Sequence, residues 1–263
     1  WALAAPLFGL CAALVGGVGR DAAVEAYACR QGAPDQRQIA CVKAALSVAW
    51  VGPLGYSFDR GLFFAFLMST VGVPGPVVEV GVQGGDLTRD LLRKAEEFNV
   101  PPFRYFLVDV WRTLDGAEHY LDIANVDVAG QRHRMLQTLN RIRDEHWSRI
   151  SVLQLRSVEA VAVFRPSDLA MVYLDARHDY CAVYEELSLY WPKIRPGGMI
   201  AGDDCERNLP LGYRSRYWPE GQNFSICEDG KYRAGGVYRA AWEFARRHGV
   251  RLHVVEHQFV IFK

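Results

Sequence analysis

The amino-acid sequence predicts an α/β fold, a mostly parallel sheet with helices on both faces, preceded by a helical N-terminal addition. Three observations predict it. Beyond Pro76, short apolar runs alternate with longer amphipathic stretches, the pattern of strand and crossover helix. Several runs are apolar throughout and end in acids, as in Val172 Tyr173 Leu174 Asp175 and Met199 Ile200 Ala201 Gly202 Asp203 Asp204. Such runs are expected of buried parallel strands that deliver carboxylates to one sheet edge. The last two runs are separated only by Glu256 and His257, too few residues for a helical crossover, so a hairpin closes the sheet and one of its strands is antiparallel to the rest.

Taken in order, residues 1–19 carry no charge and are rich in Ala, Leu, Val and Gly, as in the remnant of a signal or anchor segment. Pro6, the glycines and the lack of a basic leader favour instead an apolar helix packed on the domain. A chain that begins at Trp1 is expected to be a fragment or a processed product. The favoured expectation is a cytoplasmic protein, with secretion or membrane anchoring through residues 1–19 as the alternative. From Asp21 to about Val51 the pattern is helical and alanine-rich, interrupted by the turn-forming Gln31 Gly32 Ala33 Pro34 Asp35. Ser57 Phe58 Asp59 opens a further helix through Ala65 and Met68, which stops before Val71 Gly72 Val73 Pro74 Gly75 Pro76. That cluster divides the helical addition, residues 1–75, from the core, residues 76–263.

In the core, strands are predicted at Val77–Gly81, Tyr105–Asp109, Ile150–Leu155, Leu169–Asp175, Met199–Gly202, Arg251–Val255 and Gln258–Phe262. Helices are predicted near Leu87–Phe98, Gln131–Arg143, Cys181–Tyr190 and Val237–His248. With 30 Lys plus Arg against 30 Asp plus Glu, no global field draws the chain to nucleic acid or to an anionic membrane, and neither is expected as a partner of the core. Its 6 cysteines include no CxxC pair, so neither a zinc ribbon nor a dense disulfide scaffold is suggested, and the redox compartment stays open.

Val77 Val78 Glu79 Val80 Gly81 Val82 Gln83 Gly84 Gly85 reads as a strand, a glycine-rich turn and a helix start. Gly81 and Gly85 let backbone approach a cofactor, and Glu79 adds a polar contact, although the glycines also suit a plain tight turn. The spacing is ExGxxxG rather than the GxGxxG of dinucleotide folds. Asp109 ends the next strand, where a carboxylate accepts from ribose hydroxyls in open α/β sheets. Trp111 either stacks on an adenine or packs in the core, and Ser157 either contacts the adenine or caps a helix.

Asp175, Asp203, Asp204 and His178 converge on the same rim. Carboxylates so placed resist ionising together, and a bound divalent metal resolves the conflict. Oxygen ligands suit a hard cation such as magnesium. Coordination lowers the pKa of a substrate hydroxyl, and a histidine near neutrality takes its proton. Asp179 and Tyr180 are read as capping and stapling the next helix. The segment from Arg207 to Arg233 carries Tyr213, Tyr217, Trp218 and Phe224, an aromatic rim suited to a sugar or aromatic ring, and Asn223 Phe224 Ser225 fits a glycosylation sequon.

On these motifs the chain resembles the class I S-adenosylmethionine-dependent methyltransferases, over roughly Ser57 to Lys263. Asp175 to Tyr180, Trp191 to Gly198 and Gly202 Asp203 Asp204 are similar to the metal-dependent small-molecule O-methyltransferases of the macrolide-sugar and catechol type. The resemblance implies a Rossmann-like seven-stranded sheet with an antiparallel last strand. It implies S-adenosylmethionine held by Glu79, Gly81, Gly85, Asp109 and Ser157. It further implies Mg2+ or another divalent cation on Asp175, Asp203 and Asp204, with His178 as general base. Relatives often carry histidine at the position of Asp203 and asparagine at that of Asp204. The acceptor so implied is a small hydroxylated molecule, a sugar or an aromatic, and a homo-oligomer is allowed. The alternatives are a nicotinamide-dependent oxidoreductase on a similar sheet, which the glycine spacing disfavours, and a non-catalytic methyltransferase-like binding protein.

Overall fold

The computed structural model describes residues 29, 33–51, 57–113, 127–207 and 224–263. They fall into two compact units, one made of the residues up to Val73 with 90–102, the other of 74–89 with those from Phe103 onward. The expectations for residues 1–19 and for a helix from Asp21 lie outside the described residues. So do Tyr213, Tyr217, Trp218 and Asn223.

In the first unit, helix α1 (Pro34–Ala49) begins at the proline, whose missing N–H costs nothing in a first turn. The turn cluster around Pro34 therefore contains the helix start. Strand β1 (Trp50–Val51) pairs antiparallel with β2 (Ser57–Phe58), and helix α2 (Arg60–Val71) follows. Ser57 and Phe58 are thus strand rather than the opening of that helix. The boundary is set by Asp59, whose carboxylate accepts the Leu62 N–H at 2.8 Å while its own N–H donates to the Ala49 carbonyl. Residues from Gly61 to Leu67 are all buried, so α2 is a core helix without a solvent face over that stretch. A disulfide joins Cys29 to Cys41.

After β3 (Val77–Val80) come α3 (Asp86–Glu97), β4 (Tyr105–Val108), α4 (Val128–Arg141), β5 (Ile150–Leu153), the short α5 (Ser157–Ala160) and β6 (Leu169–Leu174). Then follow α6 (Tyr180–Tyr190), β7 (Ile194–Gly202), α7 (Gly236–His248), β8 (Leu252–Val255) and β9 (Gln258–Phe262). Strands β3 to β9 form one seven-stranded sheet in the order β5-β4-β3-β6-β7-β9-β8. The first five run parallel, and β9 lies antiparallel between β7 and β8, as the two-residue link requires. Strand β7 starts earlier than predicted, at Ile194, with a register shift across Pro196 Gly197 Gly198. A second disulfide joins Cys181 to Cys227, and Cys205 is a buried thiol.

Register fixes where the acids emerge. Val80 sits opposite Val108 on one side and Leu174 on the other, and Leu174 sits opposite Gly202. The next residue of each strand is Gly81, Asp109, Asp175 or Asp203, so all four reach the same carboxyl edge. One face of the sheet is sealed by α6 and α7, whose Val183, Leu187, Tyr190, Ala241 and Phe244 join Val78, Val172, Ile200 and Phe259 in the core. This burial anchors the strands whose ends carry the acids.

Gly81 permits the strands to close at that edge. It has φ 86°, and a Cβ there would collide with the Asp175 carbonyl oxygen. Gly230 has φ 77°, but a Cβ at that position would meet nothing within 4 Å, so only backbone strain opposes a side chain. Gly81→Ala should therefore lose more than about 3 kcal/mol in denaturant unfolding, against about 1–2 kcal/mol for Gly230→Ala. Equal losses would show that the approach of Gly81 to Asp175 does not matter to the fold.

Candidate active site

The loop after β6 and the turn after β7 bring three side chains together. Carboxylate oxygens of Asp175 and Asp204 and a ring nitrogen of His178 all lie within 4.8 Å of one another. His178 Nε2 is 3.0 Å from Asp204 Oδ2 and 3.6 Å from Asp175 Oδ1. Asp175 is placed by its N–H, which donates to the Val80 carbonyl at 2.7 Å. His178 is placed by Asp179, the buried N-cap of α6, which accepts the Ala182 N–H at 3.0 Å as the sequence anticipates. Asp204 takes a left-handed conformation, φ 55°, stabilised by its N–H donating to Asp203 Oδ1 at 2.8 Å.

Asp203 is turned another way. Its Oδ1 also accepts from Gln258 Nε2, and Gln258 Oε1 accepts the Tyr173 hydroxyl at 2.6 Å. The result is a relay across β6, β9 and β7 that fixes one oxygen of the Asp203 carboxylate.

Electrostatics follow from this crowding. Burial works against a charged imidazole at His178, yet the Asp204 and Asp175 carboxylates outweigh it and hold the pKa well above the usual histidine value. The two carboxylates thus favour the protonated imidazole. The donor set fits a hard divalent cation, because two carboxylates offer oxygens at one point and leave positions for water or an acceptor oxygen.

The glycine-rich turn is built by its neighbours. Asp109 Oδ2 accepts the N–H groups of Val82 and Gln83 at 2.9 and 2.8 Å, and its Oδ1 accepts that of Trp111 at 2.9 Å. Burial raises the Asp109 pKa, and these N–H donors pull it back. The Trp111 indole N–H donates to the Gln83 carbonyl, as does the Thr138 hydroxyl, and Gly85 packs on Thr138. Trp111 is buried, a support for the turn. Glu79 is also buried, and its Oε2 accepts the hydroxyls of Thr88 and Tyr105. Ser157 begins α5, but the N-terminal bond there is made by Glu159 accepting the Arg156 N–H, while the Ser157 carbonyl accepts the Tyr190 hydroxyl.

Residues 78–205 match a family model described as a methyltransferase domain. No curated protein matches the chain. Among solved structures, it is similar to the O-methyltransferase NovP at 14% identity, covering 78% of this chain and 81% of that one with a TM-score of 0.49. It is similar to the calicheamicin methyltransferase CalS11 at 13% identity, covering 88% and 94% with a TM-score of 0.48. For the Podospora anserina methyltransferase PaMTH1 the identity is 10%, the coverage 97% and 93%, and the TM-score 0.49.

The matched segment ends with Asp204 and Cys205, and sequence reasoning misses two residues beyond it as parts of the site. Gln258 is recognisable as a polar residue opening the apolar run Phe259 Val260 Ile261 Phe262. Phe224 reads in sequence as a rim residue, but its ring lies 4.9 Å from that of His178, and no local sequence signal announces that pairing. Arg177, outside the site predicted from sequence, joins Asp179 to Glu228.

Under this rim, Glu186 of α6 is buried, and burial pushes its carboxyl up to about 7, with Ser157 and Arg177 pulling the other way. The folded chain keeps a proton there that the unfolded chain releases above its ordinary value of 4.5. Stability is therefore lost as pH rises between these values. In denaturant unfolding, Glu186→Gln should exceed the unsubstituted chain by up to about 3 kcal/mol at pH ~8, with the gap closing below pH ~4. A gap independent of pH would refute the assignment.

Proposed function

We propose that this chain is an S-adenosylmethionine-dependent O-methyltransferase that acts on a small hydroxylated molecule, a sugar or an aromatic, with help from a divalent cation such as Mg2+. The observation that carries the reading is the convergence of Asp175, His178 and Asp204 on the rim where the Gly81–Gly85 turn also emerges. Two disulfides among the described residues support an oxidising compartment over the cytoplasm.

Asp175 and Asp204 would hold the cation. Asp203, fixed by Gln258, orients Asp204 through the bond from the Asp204 N–H and adds negative charge beside it. The turn from Gly81 to Gly85 would receive the methyl donor. Asp109 holds that turn and keeps an unused lone pair on Oδ1, enough to accept one ribose hydroxyl. Glu79 contributes from beneath by fixing the start of α3 to the sheet through Thr88, and Ser157 would border the adenine side. When bound, the cation supplies coordination positions that orient an acceptor hydroxyl and lower its pKa. With a cation held on Asp175 and Asp204, those carboxylates would no longer favour a protonated imidazole, so His178 would give up its proton and its Nε2 could then take that of the acceptor hydroxyl as the methyl group is transferred.

Methyl transfer from S-adenosylmethionine to a panel of hydroxylated sugars and phenols should be seen with magnesium and fall at least about tenfold on chelation. His178→Ala should lower kcat by about 10²-fold or more and leave S-adenosylmethionine affinity within about twofold. Activity indifferent to chelation, or equal loss of turnover and cofactor affinity in the His178 variant, would overturn the respective roles.

A further inference from the structure

The segment from Phe224 to Arg233 is bound to the loop that carries His178. It closes on itself through Cys227 N–H to the Lys231 carbonyl at 2.9 Å and Arg233 N–H to the Ser225 carbonyl at 2.7 Å. It is then tied to the start of α6 at three points. Cys227 is disulfide-bonded to Cys181, the second residue of that helix. Glu228 pairs with Arg177 at 3.0 Å, and the Arg233 guanidinium lies over the Tyr180 ring, 5.7 Å from its centre. Positions 177, 180 and 181 flank His178 closely in sequence. At the head of the segment, buried Phe224 lies against the imidazole with ring centres 4.9 Å apart and planes inclined by 38°.

Each tie has a different weight. The Arg177–Glu228 pair is partly exposed, with side chains 24% and 44% accessible, so water weakens it. The disulfide closes a separation of 46 residues and cannot be undone by solvent. It is the covalent tie among the three.

We propose that Phe224 is a positioning residue for His178, and that the Cys181–Cys227 disulfide holds it there, so that the imidazole is aimed at Asp204 and Asp175 only in the disulfide-bonded chain. The tilted ring packs against the imidazole and restricts its rotation, leaving Nε2 directed at the two carboxylates. The kinetic consequence rests on the function proposed above; the geometric one does not.

The test uses the full chain, the variants Phe224→Leu and Phe224→Tyr, and the double variant Cys181→Ala with Cys227→Ala. Peptide mapping without reductant should recover the Cys181–Cys227 link. The NMR signal of the His178 Cε1 proton should move in Phe224→Leu and in the double variant, because the ring current of Phe224 is lost, and stay in Phe224→Tyr. Turnover should fall about tenfold or more in the first two with S-adenosylmethionine affinity kept within about twofold, and recover in Phe224→Tyr. Should the double variant fail to fold, Phe224→Leu in the disulfide-bonded chain decides. An unlinked pair of cysteines, or an unmoved His178 signal with unchanged turnover, overturns the proposal. If the unsubstituted chain methylates nothing, the function above fails and the NMR signal alone judges the positioning claim.

Discussion

The rest of the structure answers to one constraint: Asp175 and Asp204 must stand beside each other on a sheet edge despite their like charge. Each would be more stable apart, and the fold forbids it. Strand β6 is locked between β3 and β7, and both neighbours end level with it, so the carboxylates emerge together. Positive charge has to be supplied locally. His178 lies beside both carboxylates, whose charge favours its protonated form.

Several features that look independent serve this placement. Gly81 has no side chain because the Asp175 carbonyl occupies the space a Cβ would need. Asp204 accepts a left-handed backbone because Asp203 receives its N–H. Asp203 in turn is held by Gln258 and Tyr173, residues brought close only when β9 inserts beside β7. The closing hairpin therefore does more than finish the sheet. It delivers the amide that sets one member of the acidic pair.

The fold is legible because each strand announces itself twice, by an apolar run and by what ends it. The alternation after Pro76, the acids at 109, 175 and 203, and the short link at Glu256 and His257 determine a sheet with little freedom left. The meeting of Asp175, His178 and Asp204 is legible for the same reason, since strand ends in a parallel sheet share an edge. What cannot be read is anything carried by side chains from distant positions. Asp203 looks equivalent to Asp204 in sequence, and the Gln258 amide on the one and the left-handed backbone of the other tell them apart. The cysteines at 181 and 227 have no spacing that signals a bond, and Phe224 gives no hint of His178. Ser57 and Phe58 read as helix because the chain before Asp59 has no strong strand signal; their partners Trp50 and Val51 lie across an intervening stretch.

The central claim is that the two acids form a cation site. Calorimetric titration of magnesium into the chain, in the presence of S-adenosylmethionine, tests it most directly. Saturable binding at one site is expected, lost when Asp175→Asn and Asp204→Asn are combined. Absence of binding in the unsubstituted chain, or binding that survives both substitutions, would contradict it.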